Sequence, residues 1–324
     1  MTEQSDSAAE LVGLARRMAS FAARRNIGMA RLCRDYPALG APAEFAKIRV
    51  GDLDAVDIAA RLADYRGAVE AASTLTGEAG GEVVYDDLPG PQAVRAAVLE
   101  AMRSIGTDRV VFVDGESGAG KTTAARLLCG RYGSRVRMME ASDVWGDSPM
   151  AFLEALLGAI GVETLPASAV RRMRAAVERL NVSRVCLIID EAHHLGPRAL
   201  NIVKSLVNAT SGEFVLLGIP AMWRKLYKAA YEEARQLSEN RISSRLTVST
   251  DDKTVAAYLA NLFSDVDKST LRTAARIIRP AAARRGEMAF VRDVSRLLLT
   301  GGDLSVQAVT EAVNKVCIRR GRAQ

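Results

Sequence analysis

Residues 115–122 read Gly-Glu-Ser-Gly-Ala-Gly-Lys-Thr, which fits G-x-x-x-x-G-K-[ST] at every fixed position. Gly115, Gly118 and Gly120 let successive backbone N–H groups turn inward around an anion, and a helix starting at the lysine adds its positive N-terminal end. In such a loop Lys121 reaches the β- and γ-phosphates of a nucleotide. The Thr122 hydroxyl holds Mg²⁺, and Thr123 follows on the same turn. An apolar strand, "RVVFVDG", precedes the loop and a helical pattern over 120–132 follows it. The expected ligands are ATP and Mg²⁺.

The second chemical stretch is "VCLIIDEAHH". An apolar strand ends in Asp190, whose carboxylate can hold the Mg²⁺ shell. The adjacent Glu191 can polarise an attacking water. An Asp-Glu pair here favours hydrolysis over phosphoryl transfer to a metabolite. His193 and His194 are the only two histidines. Adjacent residues are not expected to face one metal, and no Cys or further His is spaced to help them, so both are read as polar residues beside the site. "DEAHH" also resembles a helicase motif, but the chain holds one ATPase core and lacks room for the second domain such helicases need.

Positioning these groups requires strands that end side by side. The pattern supplies them: "RVRMMEA", "RVCLIIDEA", "EFVLLGI" and "RISSRLTV" alternate with helical stretches over 148–160, 166–180, 197–209 and 220–230. Strands alternating with helices predict a parallel sheet covered on both faces. "RVRMMEA" falls between the two motifs, which fits the class with an extra strand between cradle strand and Asp strand. A helix over 91–104 precedes the block. From 251 onward only helices are expected, over 251–263, 268–283, 287–300 and 305–318. At the start, helices over 8–25 and 52–73 flank two short ones, and "LTGEAGGEV" over 75–83 is a Gly-rich linker. The division read from this is 1–80, helical; 81–250, the ATPase core; 251–324, a helical lid with a basic end.

With 324 residues, 49% of them apolar, the chain can bury more than one core. Four separated cysteines, none in a CxxC pair, suit reduced thiols in the cytoplasm. The polar, acidic start is no signal peptide. The longest apolar runs are too short to span a bilayer, so no membrane partner is expected. Net charge is +6, which suits an anionic partner.

Cradle, Asp-Glu strand, "LLGIP", "ENRISSRL" and a helical lid together resemble an AAA+ ATPase over roughly residues 83–300. Within that group the Arg-rich N-terminal segment, the compact core and the basic end resemble transposition target-selection ATPases of the phage Mu transposition protein B type. The resemblance implies an α/β fold: an AAA+ P-loop parallel sheet, a helical lid and a small helical N-terminal domain. It implies duplex DNA, a transposase and further copies of the same chain, as a homo-oligomer or helical filament, as partners. It also implies an arginine that reaches the γ-phosphate of a neighbouring subunit, for which Arg241 and Arg245 are candidates, Arg245 fitting the family's placement better. Two positions depart from the family. Ile219 and Pro220 stand where a polar first-sensor side chain is usual. Arg292 falls a turn too late, and Arg285 too early, for the second-sensor arginine.

Candidate DNA contacts follow charge. Six arginines and no acid lie between 11 and 34; Arg24, Arg25 and Arg31 are chosen from them. "GMARLCRDYPALGAPAEFAKI" has the outline of a helix-turn-helix, with Pro37, Gly40 and Pro42 unusual in its turn; a helical docking unit is the alternative. Residues 268–324 hold twelve Lys/Arg against four Asp/Glu, a net +8, and end in Arg319, Arg320 and Arg322. Arg171 and Arg172 form a further cluster with Arg174, and Arg198 and Lys204 follow the Asp-Glu motif. "VWGDSPM" could line a DNA channel, though Trp145 suits packing on the sheet better. With few base-reading side chains in these clusters, contact is expected to be largely non-sequence-specific. Two other readings stay open: a P-loop ATPase of a secretion-type system, and a nucleotide-gated DNA-binding regulator without useful turnover. A phosphoryl-transferring kinase is disfavoured by the Asp-Glu pair.

Overall fold

Side chains alternate across an extended strand, so a strand buried on both faces must be apolar throughout. β1 (Val110–Gly115), β3 (Cys186–Asp190) and β4 (Glu213–Gly218) are buried along their whole lengths and apolar but for Asp114, Asp190 and Glu213 near their ends. With β2 (Val136–Glu140) and β5 (Ile242–Val248) they form one sheet in the order β2-β3-β4-β1-β5. Every neighbouring pair is parallel. The strand that separates cradle strand from Asp strand in space is therefore β4, and "RVRMMEA" forms the outer strand β2. The computed structural model describes residues 2–24, 28–54, 56–76, 88–104, 106, 108–145, 147–263, 266–301 and 303–321. The expected linker from residue 77 onward, with the 80/81 boundary, and Arg25 and Arg322 lie outside the described residues.

The alternation divides the core in two. Val111, Val113, Ile188, Val215 and Leu217 meet α5 (Pro89–Arg103) and α6 (Lys121–Tyr132) on one face. Phe112, Leu187, Ile189, Phe214 and Leu216 point to the other. That face is covered by α7 (Pro149–Ala159), α8 (Ala169–Val182), α9 (Pro197–Ala209), α10 (Pro220–Leu226) and α11 (Glu232–Asn240). The helix expected over 220–230 ends at Leu226; α11 follows after a 3₁₀ turn, Ala229–Tyr231. Its sequence, EEARQLSEN, is polar enough to hide a helix anchored through the buried Leu237.

Helices α12 (Asp252–Leu262), α13 (Lys268–Arg285), α14 (Glu287–Gly301) and α15 (Val306–Gly321) close around their own core, which includes Leu259, Ile278, Phe290 and Val294. At the other end lie α1 (Thr2–Arg24), α2 (Met29–Asp35), α3 (Pro42–Val50) and α4 (Ile58–Thr76). Their core holds Leu11, Leu32, Phe45 and Tyr65, and it also takes in Leu127 of α6. Helices α4 and α6 cross where Gly67 meets Gly130: a Cβ on Gly130 would stand 2.6 Å from the Gly67 carbonyl oxygen. Between α2 and α3 the chain makes a 3₁₀ turn, Pro37–Leu39, and the Tyr65 hydroxyl donates to Leu39 O at 2.9 Å. The short helix pair is thereby seated on α4, with Arg31 and Lys47 exposed.

Candidate nucleotide site

The cradle hangs between the end of β1 and the start of α6. Gly118 and Gly120 have φ of +85° and +88°, a left-handed conformation that glycine alone takes without penalty. Lys121 is buried and donates through Nζ to Gly115 O (2.7 Å) and Glu116 O (3.1 Å). Burial pushes its pKa below the ordinary lysine value, and the charges of Glu191, Asp190, Glu116 and Asp114 oppose that shift. The ammonium thus sits in the loop's own hollow, amid four acidic groups. Thr122 and Thr123 occupy the first turn of α6.

Asp190 ends β3 and is buried. Its Oδ1 accepts the Glu191 backbone N–H at 2.9 Å, whereas Oδ2 is buried with no hydrogen-bond partner among the described residues. Such an orphaned carboxylate oxygen suits a hydrated Mg²⁺. Glu191 follows with φ +51°, a conformation costing a non-glycine residue about 1 kcal/mol or more. It turns the chain sharply into the 3₁₀ turn Ala192–His194. Its carboxylate is half exposed and stands 3.2 Å from His193 Nδ1.

That tight turn overturns the expectation for the two histidines. Their ring centroids are 4.1 Å apart, and donor atoms of Glu191, His193 and His194 all lie within 4.8 Å of one another. His194 is held by Asp143 through Nδ1. Lys225 of α10 donates to His193 O at 3.0 Å. Burial lowers the His193 pKa, reinforced by His194.

The lid closes one side of the cradle. Ala289 N donates to Gly118 O at 3.1 Å, and the Gly286 carbonyl lies where any Cβ on Gly118 would be. Gly286 and Glu287 both have positive φ, so α13 stops and α14 restarts at a new angle beside the loop. Consequently Arg292 lines an open cleft with Gly118, Gly120, Thr123, Val248 and Tyr258. Arg285 points away, donating to Cys317 O at 3.3 Å. At the end of β4 there is no polar side chain: Gly218 packs near Met222 and Phe112, as the departure at Ile219 and Pro220 implied.

The two candidate arginines separate. Arg245 donates through Nε to Asp114 Oδ2 at 2.9 Å, and again through Nη2, and lies 4.8 Å over the Trp223 ring. Asp114 is fully buried. Arg245 is thus committed inside its own chain, which runs against its placement on a neighbour's phosphate. Arg241 precedes β5, beside the start of the neighbouring strand β1, whereas the cradle follows the other end of β1. Arg241 is held at the surface by Asn208 Oδ1 (2.8 Å) and Asn240 O (2.7 Å). Neither Asp114 nor Trp223 was singled out from the sequence, where nothing marks them.

The candidate DNA contacts do not converge. Arg31 is exposed and pairs with Asp35 at 3.5 Å; nothing is described for the Arg24 side chain. Arg171 is exposed on α8. Arg172 is a correction: it is buried and holds Pro166 O (2.8 Å), Met150 O (3.0 Å) and Glu154 (2.8 Å). Its work is tying α8 to α7. Arg198 is exposed at the start of α9, whose first N–H groups are capped by Asp147. Lys204 reaches Gln236 at 3.3 Å. Arg319 is exposed, whereas Arg320 is bound to Asp293 at 2.5 Å and to Arg285 O. Trp145 packs against Phe152, centroids 6.3 Å apart, as its packing alternative predicted. Among the described residues no helix is long and apolar enough to cross a membrane.

No curated protein matches the chain. Three similar solved structures each share 16% identity. The Aeropyrum pernix ORC2 protein in its ADP form covers 69% of this chain and 67% of its own, with TM-score 0.46. The Aeropyrum pernix ORC1 protein in complex with DNA covers 75% and 69%, with TM-score 0.48. Domain III of the Thermotoga maritima replication initiation protein DnaA covers 72% and 94%, with TM-score 0.44. Residues 103–226, which run from the end of α5 through the cradle and the Asp-Glu strand to the end of α10, match the family described as AAA domain, AAA_22.

Proposed function

We propose that the chain binds and hydrolyses ATP with Mg²⁺, and that the nucleotide governs its hold on duplex DNA. The observation that carries the nucleotide reading is Asp190. A buried carboxylate with an orphaned oxygen, beside a cradle whose lysine is parked on its own loop, is arranged to receive a charged ligand. In this reading the loop N–H groups and Lys121 hold the β- and γ-phosphates. Thr122 and Asp190 would hold Mg²⁺, which would offset phosphate charge when bound. Glu191 leaves His193 to polarise the attacking water, and Arg292 contacts the nucleotide from the lid. Arg241 of an adjoining copy faces the γ-phosphate, so the active unit is an oligomer.

The DNA part of the reading rests on charge. Residues 268–324 carry a net +8 against +6 for the whole chain, and Arg31, Arg171, Arg198 and Arg319 are exposed. Contact of this kind follows the phosphate backbone and weakens with salt. The finer reading is the target-selection one. ATP-bound copies assemble as a helical filament on DNA and deliver it to a transposase, and hydrolysis releases it. The organisation into 1–80, 81–250 and 251–324 belongs to this proposal too.

Electron microscopy of the protein with duplex DNA and ATP, a non-hydrolysable analogue, ADP or no nucleotide tests it, with Glu191→Gln alongside. Filaments with ATP or the analogue, absent with ADP and persistent in Glu191→Gln, support it. Isolated particles throughout, with turnover indifferent to DNA, would sink the filament reading and favour the nucleotide-gated regulator, for which the pairing of Glu191 with His193 already argues.

A further inference from the structure

We propose that Glu191, His193 and His194 form a binding site for a borderline divalent cation of the zinc class, and that a cation there withdraws the Glu191 carboxylate from catalysis. The inhibitory clause rests on the hydrolytic reading above; cation binding does not.

Two imidazoles and a carboxylate form a donor set suited to zinc or cobalt and unlike the all-oxygen shell of Mg²⁺. The spacing suits it too. With bonds of about 2.0–2.1 Å, two ligands on a tetrahedral ion stand about 3.3 Å apart. Glu191 Oε2 and His193 Nδ1 are 3.2 Å apart, and all three donors fall within 4.8 Å. All three residues are partly exposed.

The backbone prearranges the set. The left-handed Glu191 and the 3₁₀ turn after it bring three side chains within a span of four residues to one side. Lys225 pins the turn through His193 O (3.0 Å) and Leu195 O (3.5 Å). Asp143 holds the His194 ring, the carboxylate–histidine pairing by which metal sites orient a ligand. No covalent chemistry is involved. The cation competes with water polarisation for one carboxylate, leaving cradle and Asp190 free to bind nucleotide.

The test uses untagged, nucleotide-free protein and Co²⁺ as a visible probe. Expected is a single-site d–d absorption band that Zn²⁺ displaces, with affinity falling about tenfold or more in His193→Ala and His194→Ala. With saturating Mg-ATP, Zn²⁺ should slow wild-type turnover about tenfold while leaving binding of a fluorescent ATP analogue intact. Unaltered Co²⁺ binding in the His193→Ala/His194→Ala double variant, confirmed folded by circular dichroism, overturns the site, as does a thiolate charge-transfer band. Co²⁺ binding with turnover indifferent to Zn²⁺ overturns the inhibitory clause. A wild type without any turnover fails the hydrolytic reading, while the Co²⁺ titration still decides the site.

Discussion

The backbone N–H of Ala289, in the lid, donates to the carbonyl of Gly118, in the cradle, at 3.1 Å. Lid and phosphate loop therefore share a hydrogen bond, and neither can shift alone without breaking it. The contact is close because Gly118 lacks a side chain, and a Cβ there would run into the Gly286 carbonyl and Ala289.

Gly118→Ala should sever this contact. The added Cβ meets the Gly286 carbonyl, and φ of +85° is unfavourable for alanine. A loss of about 1–3 kcal/mol in stability is expected, together with at least a tenfold loss of ATP affinity. Thermal unfolding and titration with a fluorescent ATP analogue measure the two effects.

Lys121→Ala and Glu191→Gln should divide binding from turnover. The first removes the cation that the loop carbonyls hold and should weaken ATP binding tenfold or more. The second should leave affinity nearly unchanged and lower turnover by about 10²–10⁴. Equal loss of affinity in both variants would refute the division of labour.

Arg245→Ala should damage the fold. It leaves Asp114, fully buried, without its cation. Breaking a buried pair costs about 3–5 kcal/mol, and the partial exposure of Arg245 moves the expectation towards about 2–3. Adding Asp114→Asn should restore part of the melting temperature. Arg241→Ala, at the surface, should leave melting within a few degrees and depress turnover in the assembled state. Mixing it with Lys121→Ala protein tests the action in trans, since each partner supplies what the other lacks.

Alkaline pH should weaken the protein. Burial pushes the Cys129 thiol up to about 11, from about 9 when unfolded, and burial raises Cys186 as well. Between those values the unfolded chain has released protons that the folded chain retains, so stability falls as pH rises from about 9 towards 11. Urea unfolding across that range should show a midpoint falling with pH. A Cys129→Ala variant should show a shallower decline.

Much of this was legible in the chain itself. Cradle, Asp190 and Glu191 could be read because loop and strand-end chemistry needs particular residues at fixed local spacing. The sheet could be read because β1, β3 and β4 carry unbroken apolar runs, with acids only near their ends. That Arg292 lines the cleft beside the cradle was not legible, because its position depends on two consecutive left-handed residues, Gly286 and Glu287, and Glu287 gives no sign of such a turn. The histidines were misjudged for a related reason: helical spacing separates neighbours, whereas a 3₁₀ turn after a left-handed residue gathers them. Arg172 was read as a DNA contact and Arg245 as an arginine facing a neighbour's phosphate because local sequence does not reveal distant acceptors such as Asp114, 131 residues away from Arg245.

The crossing of α4 over α6 has a consequence for how this chain can vary. Gly67 and Gly130 stand 63 residues apart in sequence yet occupy one contact, in which each backbone fills the space the other's side chain would need. A methyl on Gly130 meets backbone, which has no rotamer to yield. The two positions are thus locked as a pair. An N-terminal unit borrowed from elsewhere would have to bring its own glycine to the same height on its last helix. The N-terminal helices are not an interchangeable cassette but one side of a contact fitted to the helix that begins at Lys121.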